Sequence, residues 1–321
     1  MKKVLVLVGP TAVGKTAFSI ELAKRFHGEI ISGDSIQVYR GLDIGSGKIT
    51  EAEKQGVPHY NIDTRDPKEK TSVADFQREA RAAIEAISAR GKLPMIVGGT
   101  GLYIKAALYD YQFQPEDPRA QSLSEELEQR DEAELYAWLK QVDPQTADQI
   151  HPHNKRRIVR ALVIHELAQT PKSELESRQE HRMIYDTFIC GLTCQRQALV
   201  ERIEKRVDGM IADGLIEEIR GLLRQGVSFD DQSMQGIGYK EWRGYFEGRE
   251  TIDQAREQIL THTRQFSRRQ MTWFTRQTPI RWAAVDQPGE KEQAVAEIAG
   301  WLKEELGDSW LCEYGISWSL G

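Results

Sequence analysis

Val4-Leu5-Val6-Leu7-Val8-Gly9-Pro10-Thr11-Ala12-Val13-Gly14-Lys15-Thr16 decides how the rest of the chain is read. Val4 to Val8 is an unbroken run of valine and leucine, the pattern of a central strand buried on both faces of a parallel sheet. It runs into Gly9 to Thr16, which matches GxxxxGK[ST], and then into a segment where Phe18, Leu22 and Phe26 recur every four residues. That spacing predicts a helix over Lys15 to His27 with one apolar stripe, stopped by Gly28. Strand, glycine-bearing loop and helix in this order make a phosphate cradle. Glycine lets successive backbone N–H groups converge on phosphate oxygens, and the helix N-terminus adds positive potential. Lys15 adds a full charge, and the Thr16 hydroxyl offers an oxygen to magnesium.

Outward from the cradle the pattern repeats. Glu29 to Gly33 reads as a second strand. Ser72 to Arg90 reads as a helix with Val73, Phe76, Ala80, Ile84 and Ile87 on one face, opened by Ser72 and Asp75 as a capping pair. Leu93 to Val97 returns as a third strand, so strand and helix alternate as in a doubly wound α/β domain. Gln114 to Ala120 carries two prolines and three charges, and from there to Arg182 the patterns are helical only. Strand character resumes at Thr187 to Thr193, which points to a helical domain inserted into the α/β core. The expected organisation is a first core segment at 1–113, an inserted all-helical domain at 114–186, a mostly helical second core segment at 187–307 and a tail at 308–321. Within the second core segment, helix is broken near Gly226 to Gly238. A late strand follows at Ile280 to Val285, and a final helix at Lys291 to Leu306.

Composition sets the class. A chain of 321 residues, 40% apolar and 29% charged, is globular rather than fibrous or disordered. The formal charge of −6 excludes a bulk polycation, so any polyanion site is local. Three cysteines, Cys190, Cys194 and Cys312, do not make a disulfide framework. Lys2 and Lys3 before the apolar run imitate a secretory signal, but Lys15 interrupts it, and no segment approaches the ~20 apolar residues of a membrane span. The reading is a cytoplasmic protein with no membrane partner.

A phosphate cradle does not name a reaction. An Asn-Lys-x-Asp guanine reader is absent, since Asn154-Lys155-Arg156-Arg157 ends in the wrong charge. The third strand closes in Gly98-Gly99-Thr100 rather than in a magnesium-holding aspartate. Asp34 emerges at the carboxyl end of the second strand, on the edge that carries the cradle. There it serves either as a general base or as the cap of a turn. Thr100, past the third strand, is a site hydroxyl or a helix cap.

Two basic patches stand out on this acidic chain. Between Gln258 and Val285 no acidic residue occurs, yet Arg264, Arg268, Arg269, Arg276 and Arg281 do, interleaved with Phe266, Trp273 and Phe274. On a helix Arg264 and Arg268 share a face, and Arg269 shares one with Trp273, so charge for phosphates and a ring for stacking are presented together. A second cluster, Lys155, Arg156, Arg157 and Arg160, opens a helix, where the helix dipole gives no local reason for it. Each patch reads as an RNA-facing surface or as ion-pair partners and solvated face. The two together favour RNA. His151-x-His153 lacks the companions of a metal site, Cys190 and Cys194 read as packing, and Arg206 sits on a charged helix whose default is surface.

Taken together, GPTAVGKT at Gly9 to Thr16, GDSIQVYRG at Gly33 to Gly41, Asp43-Ile44-Gly45, VGGTGLY at Val97 to Tyr103 and GIGY at Gly236 to Tyr239 resemble the bacterial tRNA dimethylallyltransferases. The resemblance runs collinearly over about residues 3 to 285. It implies transfer of a dimethylallyl group from dimethylallyl diphosphate to the exocyclic amine of the adenosine 3′ to the anticodon, in tRNAs reading U-initial codons. It further implies that Gly9, Pro10, Thr11, Ala12, Val13, Gly14, Lys15 and Thr16 grip the diphosphate, with magnesium at Thr16. Asp34 is then the base, with Thr100 and Arg206 completing the catalytic site. By the same resemblance Asp34, Ser35, Ile36, Gln37, Arg156, Arg157, Ile158, Val159, Arg160, Gln235, Gly236, Ile237, Gly238, Tyr239 and Lys240 contact the tRNA anticodon stem-loop. Arg264 and Arg268 join them from the arginine stripe. The chain is expected to act as a monomer. It departs from the family in Ser46-Gly47-Lys48, where Thr-Ala-Lys is usual, and in Gln121 after Asp117-Pro118, where a basic residue is common. A P-loop kinase of a small metabolite, and a non-catalytic RNA-binding protein, remain the rival readings of the same residues.

Overall fold

The structure is a computed structural model that describes residues 1–113, 117–177, 182–277 and 279–313. Two compact units form: residues 1–108 with 183–321, and residues 109–182.

In the larger unit the first half runs β1 (Lys3–Val8), α1 (Lys15–Arg25), β2 (Gly28–Ser32), α2 (Glu51–Lys54), β3 (His59–Tyr60), α3 (Val73–Ala89), β4 (Leu93–Val97) and α4 (Gly101–Leu108). The smaller unit is helical: α5 (Arg119–Glu128), α6 (Glu132–Val142), α7 (Pro144–Gln149), α8 (Lys155–Ala168) and α9 (Lys172–Ser177). The larger unit resumes with β5 (Asp186–Thr193), α10 (Arg196–Ala212), α11 (Leu215–Arg224), α12 (Arg243–Phe246), α13 (Ile252–Gln277), β6 (Arg281–Ala284) and α14 (Glu290–Glu313).

The six strands form one parallel sheet in the order β3-β2-β4-β1-β5-β6. β1 lies inside it, paired with β4 and β5, and Val4 to Val8 are fully buried, as a strand covered on both faces requires. Phe18, Leu22 and Phe26 pack into the same core as Leu5, Leu7 and Met95, so the four-residue spacing lays α1 on the sheet. The Ser72–Asp75 pair caps α3 reciprocally. A second core gathers Tyr39 and Leu42 from the segment after β2 with Ile203, Ile219, Tyr239, Trp242 and Ile259 from α10, α11, α13 and the stretch between α11 and α12. The smaller unit has its own core around Leu127, Leu139, Ile158 and Leu162.

Several boundaries differ from expectation. α1 ends at Arg25, the chain reverses at His27 with φ 49, and Gly28 already belongs to β2. Its lack of a side chain serves close packing rather than helix termination, because a Cβ there would meet Met95 Sδ at 2.4 Å. The two-residue β3 has no counterpart among the expected strands, being too short for any periodic signal. The inserted unit spans 109–182 rather than 114–186: Asp186 pairs with Lys3 in the sheet, so it belongs to β5. Of the expected tail, 308–313 continues α14 and 314–321 lies outside the described residues, as do 114–116 of the expected boundary. Cys190 is buried in β5, where burial pushes its thiol up to about 12, as a packing residue would show. No helix among the described residues is long and apolar enough to cross a membrane.

Candidate active site

β1 delivers the chain into the cradle at Gly9, and the loop turns through left-handed conformations at Ala12 (φ 65) and Gly14 (φ 105). No side chain caps α1, so the N–H groups of its first turn point out of the helix without an intrahelical acceptor, an open anion site. Lys15 Nζ folds back to donate to Gly9 O at 2.9 Å and Pro10 O at 2.8 Å. Burial, and next the Arg206 guanidinium, lower the Lys15 ammonium to about 7, with Asp34 opposing them. Among the described residues no carboxylate forms an ion pair with Lys15, and Asp34 acts on it only through its field. Thr16 is exposed.

Asp34 sits two residues past β2 and is half-buried. Its Oδ1 accepts from the backbone N–H of Ile36 at 2.8 Å and of Gln37 at 3.3 Å. The turn-cap reading is therefore realised, yet it occupies one carboxylate oxygen, and no hydrogen bond among the described residues engages the other. Gln37 turns inward. Its Oε1 accepts from Ser32 Oγ at 3.0 Å, and its Nε2 donates to Ser46 O and Gly47 O at 3.5 and 3.4 Å. Opposite, α10 carries Arg206, whose Nη2 donates to Ser46 O at 3.5 Å. Gly47, with φ +59, makes room for it: a Cβ there would stand 1.8 Å from Nη2. Burial lowers the Arg206 guanidinium, and the Asp34 carboxylate pulls it back up. Lys15, Arg206 and Asp34 therefore feel one another inside one site.

The Asp43-Ile44-Gly45 string is a structural clasp. Glu218 of α11 accepts from the N–H groups of Asp43 (3.0 Å), Ile44 (2.7 Å) and Gly45 (3.2 Å). Tyr239 OH donates to Glu218 Oε1 at 2.7 Å and accepts from Ser46 N–H at 3.1 Å. Burial first, then Glu218, raise the Tyr239 phenol, so it stays a donor. At the next turn Glu241 accepts from Gly238 N–H at 2.9 Å and meets His262 Nδ1 at 2.7 Å.

These loops enclose a cavity of about 410 Å³. Asp34, Thr100 and Arg206 share its wall with Thr11 of the cradle, while Gln235 to Gly238 and Lys240 line it from the GIGY side. Ser35 and Ile36 also reach it, and Ile203, Met210 and Phe266 supply apolar wall. Other expected residues lie elsewhere. Tyr239 is fully buried behind the loop, and Gln37 is spent on Ser46 and Gly47, so they hold the wall rather than form it. In the smaller unit Arg156, Arg157 and Arg160 are exposed on α8, which Asn154 caps through Arg157 N–H. Ile158 and Val159 are buried in that unit's core, so the helical period turns them away from any nucleotide. Arg264 pairs with Glu204 of α10, the ion-pair reading of that position. Arg268 is exposed and lines a separate open groove with Arg269, Trp273 and Arg276. His153 faces Glu132 at 3.5 Å, and no cluster of three or more His, Cys, Asp or Glu suited to a metal occurs among the described residues.

One residue had no sequence signal. Gln270 of α13, a neutral residue inside an arginine stripe, is buried and bonds both Thr11 N–H and Gly99 O.

The IPP transferase family model matches residues 37–277. The tRNA dimethylallyltransferase of Geobacillus kaustophilus is 48% identical over 308 residues, 95% of this chain and 98% of its own. The crystal structure of a tRNA isopentenylpyrophosphate transferase from Bacillus halodurans superimposes with a TM-score of 0.71 at 41% identity, covering 95% of this chain and 98% of that one. A eukaryotic dimethylallyltransferase described as acting on tRNA matches with a TM-score of 0.81 at 28% identity, over 94% of this chain and 80% of its own. With a cradle, a carboxylate and an arginine around one cavity, and a family match across most of its length, this chain belongs to the IPP transferase family.

Proposed function

We propose that this protein transfers a dimethylallyl group from dimethylallyl diphosphate to the exocyclic amine of the adenosine 3′ to the anticodon, in tRNAs that read U-initial codons, and that it does so in the cytoplasm as a monomer. Family membership removes the small-metabolite kinase and the non-catalytic RNA-binding readings. The observation that carries the proposal is the single cavity in which Asp34, Thr100 and Arg206 meet Thr11 of the cradle.

In this reading the first-turn N–H groups of α1 and Lys15 take the diphosphate, and Arg206 stands against its developing charge. An exocyclic amine is a weak nucleophile because its lone pair is delocalised into the ring. Rate then comes from alignment with the allylic carbon and from stabilising the leaving group. As the nitrogen–carbon bond forms, the carbon–oxygen bond to diphosphate breaks, and Asp34 accepts the amine proton through its unengaged oxygen. Thr100 closes the wall beside it. The target base must leave the anticodon-loop stack to enter, which a single-stranded loop permits at modest cost. Thr16 alone fits a magnesium ion held chiefly by diphosphate oxygens and water, a hard-oxygen set. Bound there, such an ion would neutralise diphosphate charge.

The test incubates the protein with unmodified tRNA, magnesium and dimethylallyl diphosphate, without ATP, and seeks the prenylated nucleoside by mass spectrometry. Product that appears only with ATP, or no product at all, overturns the reading.

A further inference from the structure

Gln270 is 5% exposed on α13. Its Oε1 accepts from Thr11 N–H at 3.1 Å, and its Nε2 donates to Gly99 O at 3.0 Å. Thr11 belongs to the cradle, and Gly99 immediately precedes Thr100. One planar amide therefore spans the two loops that would carry the diphosphate and the site hydroxyl. The fit is tight: a Cβ at Gly99 would lie 2.0 Å from Gln270 Nε2.

The same stretch of α13 faces the cavity and the basic groove. Phe266 and Arg269 line the cavity, with the Arg269 guanidinium 6.0 Å from the Phe266 ring. Trp273 lines the open groove with Arg268 and Arg276, and it covers Gly101, where a Cβ would stand 2.3 Å from the ring. A helix that displays arginines outward is thus hydrogen-bonded inward to the cradle.

We propose that Gln270 is a positioning residue that sets the separation between the cradle and the Gly98-Gly99-Thr100 loop, and that through it RNA on α13 is coupled to diphosphate in the cradle. This rests on the proposed function. The chemistry asks for an amide: one group must accept from an N–H and donate to a carbonyl at once. Glutamate would keep the first bond and oppose Gly99 O with a lone pair. Methionine fills similar volume and makes neither bond, leaving the buried Gly99 O and the half-buried Thr11 N–H without these partners.

The experiment compares wild type, Gln270→Met and Gln270→Glu. Turnover is measured over a range of tRNA concentrations up to saturation, and pyrophosphate binding by calorimetry with and without an unmodified anticodon stem-loop. The expected result for Gln270→Met is kcat lower by about tenfold to a hundredfold with KM for tRNA within about twofold. Wild type should bind pyrophosphate more tightly when the stem-loop is present, and that ratio should fall towards one in the variant. A purely packing role predicts wild-type kcat and an unchanged ratio in Gln270→Met, and that result overturns the proposal. Should Gln270→Met fail to fold, Gln270→Glu carries the test, and wild-type kcat there is equally fatal. Absence of prenylated product from wild type would sink the proposed function instead, while the pyrophosphate ratio would still report on Gln270.

Discussion

In the proposed reaction Asp34 has one job for each of its two oxygens, and a single substitution separates them. Asparagine keeps an acceptor for the Ile36 and Gln37 N–H groups and removes the base. Asp34→Asn is therefore expected to fold normally and to bind tRNA within about threefold of wild type, while kcat falls by about 10²–10⁴. Single-turnover kinetics beside a filter-binding titration check this, and retained turnover would remove Asp34 as the base. Lys15 yields a pH prediction. Its ammonium, lowered to about 7 by burial and Arg206, must be charged to hold diphosphate. Binding raises its pKa, so a proton is taken up on binding above pH 7. Affinity for pyrophosphate should then fall as pH climbs through and beyond 7, by up to about tenfold per unit. Below 7 this contribution is flat. Because pyrophosphate itself titrates, the quantity to measure is the difference between wild type and Lys15→Met across pH 6 to 9. A pH-independent difference would count against the charge-switch account. The same depression makes Lys15 oppose folding below about pH 7, a cost that shrinks as pH rises from there towards the ordinary lysine value of 10.5.

At the scale of elements, loops rather than strands build much of the cavity wall, and buried side chains give those loops their shape. The 43–45 turn has its N–H groups on Glu218, Tyr239 joins Glu218 to Ser46, and Ser46 O in turn receives Arg206. Tyr239→Phe deletes one hydroxyl from this chain and leaves the half-buried Ser46 N–H without its acceptor and Glu218 Oε1 without that donor. The expected cost is about 1–3 kcal/mol of stability, read as a lower denaturation midpoint. Turnover should drop more than tRNA affinity does, since the loop that carries Ser46 also orients Arg206. An unchanged midpoint would show the clasp to be dispensable. The basic stripe divides along its helix: Arg264 is committed to Glu204 and Arg268 to an open groove. Helical spacing puts the two on one face, but it does not say which of them a neighbouring acid on α10 will claim.

For the whole molecule, a net charge of −6 means that tRNA must be attracted by local patches against a repulsive average. Affinity should fall steeply with salt, and deleting one phosphate-binding side chain should flatten the log–log slope by about 0.7–0.9. Removing the exposed Arg156 and Arg160 of α8 together is expected to lower the slope without touching pyrophosphate binding. A slope equal to that of wild type would show that they do not meet phosphates. What depends on neighbours along the chain is legible in the amino-acid order alone. The buried strand of Val4 to Val8, the cradle, the stripe of Phe18, Leu22 and Phe26 and the Ser72–Asp75 cap are all written in spacings of a few residues. The resemblance of several short strings added Arg206, whose own helix reads as surface. It took the folded chain to reveal that Arg206 is half-buried against Ser46, that Glu218 holds the 43–45 turn, and that Gln270 bridges Thr11 and Gly99. Those hydrogen bonds join residues far apart in sequence, and their energies come from desolvation and from satisfying buried backbone groups. Neither has a period that a sequence could display.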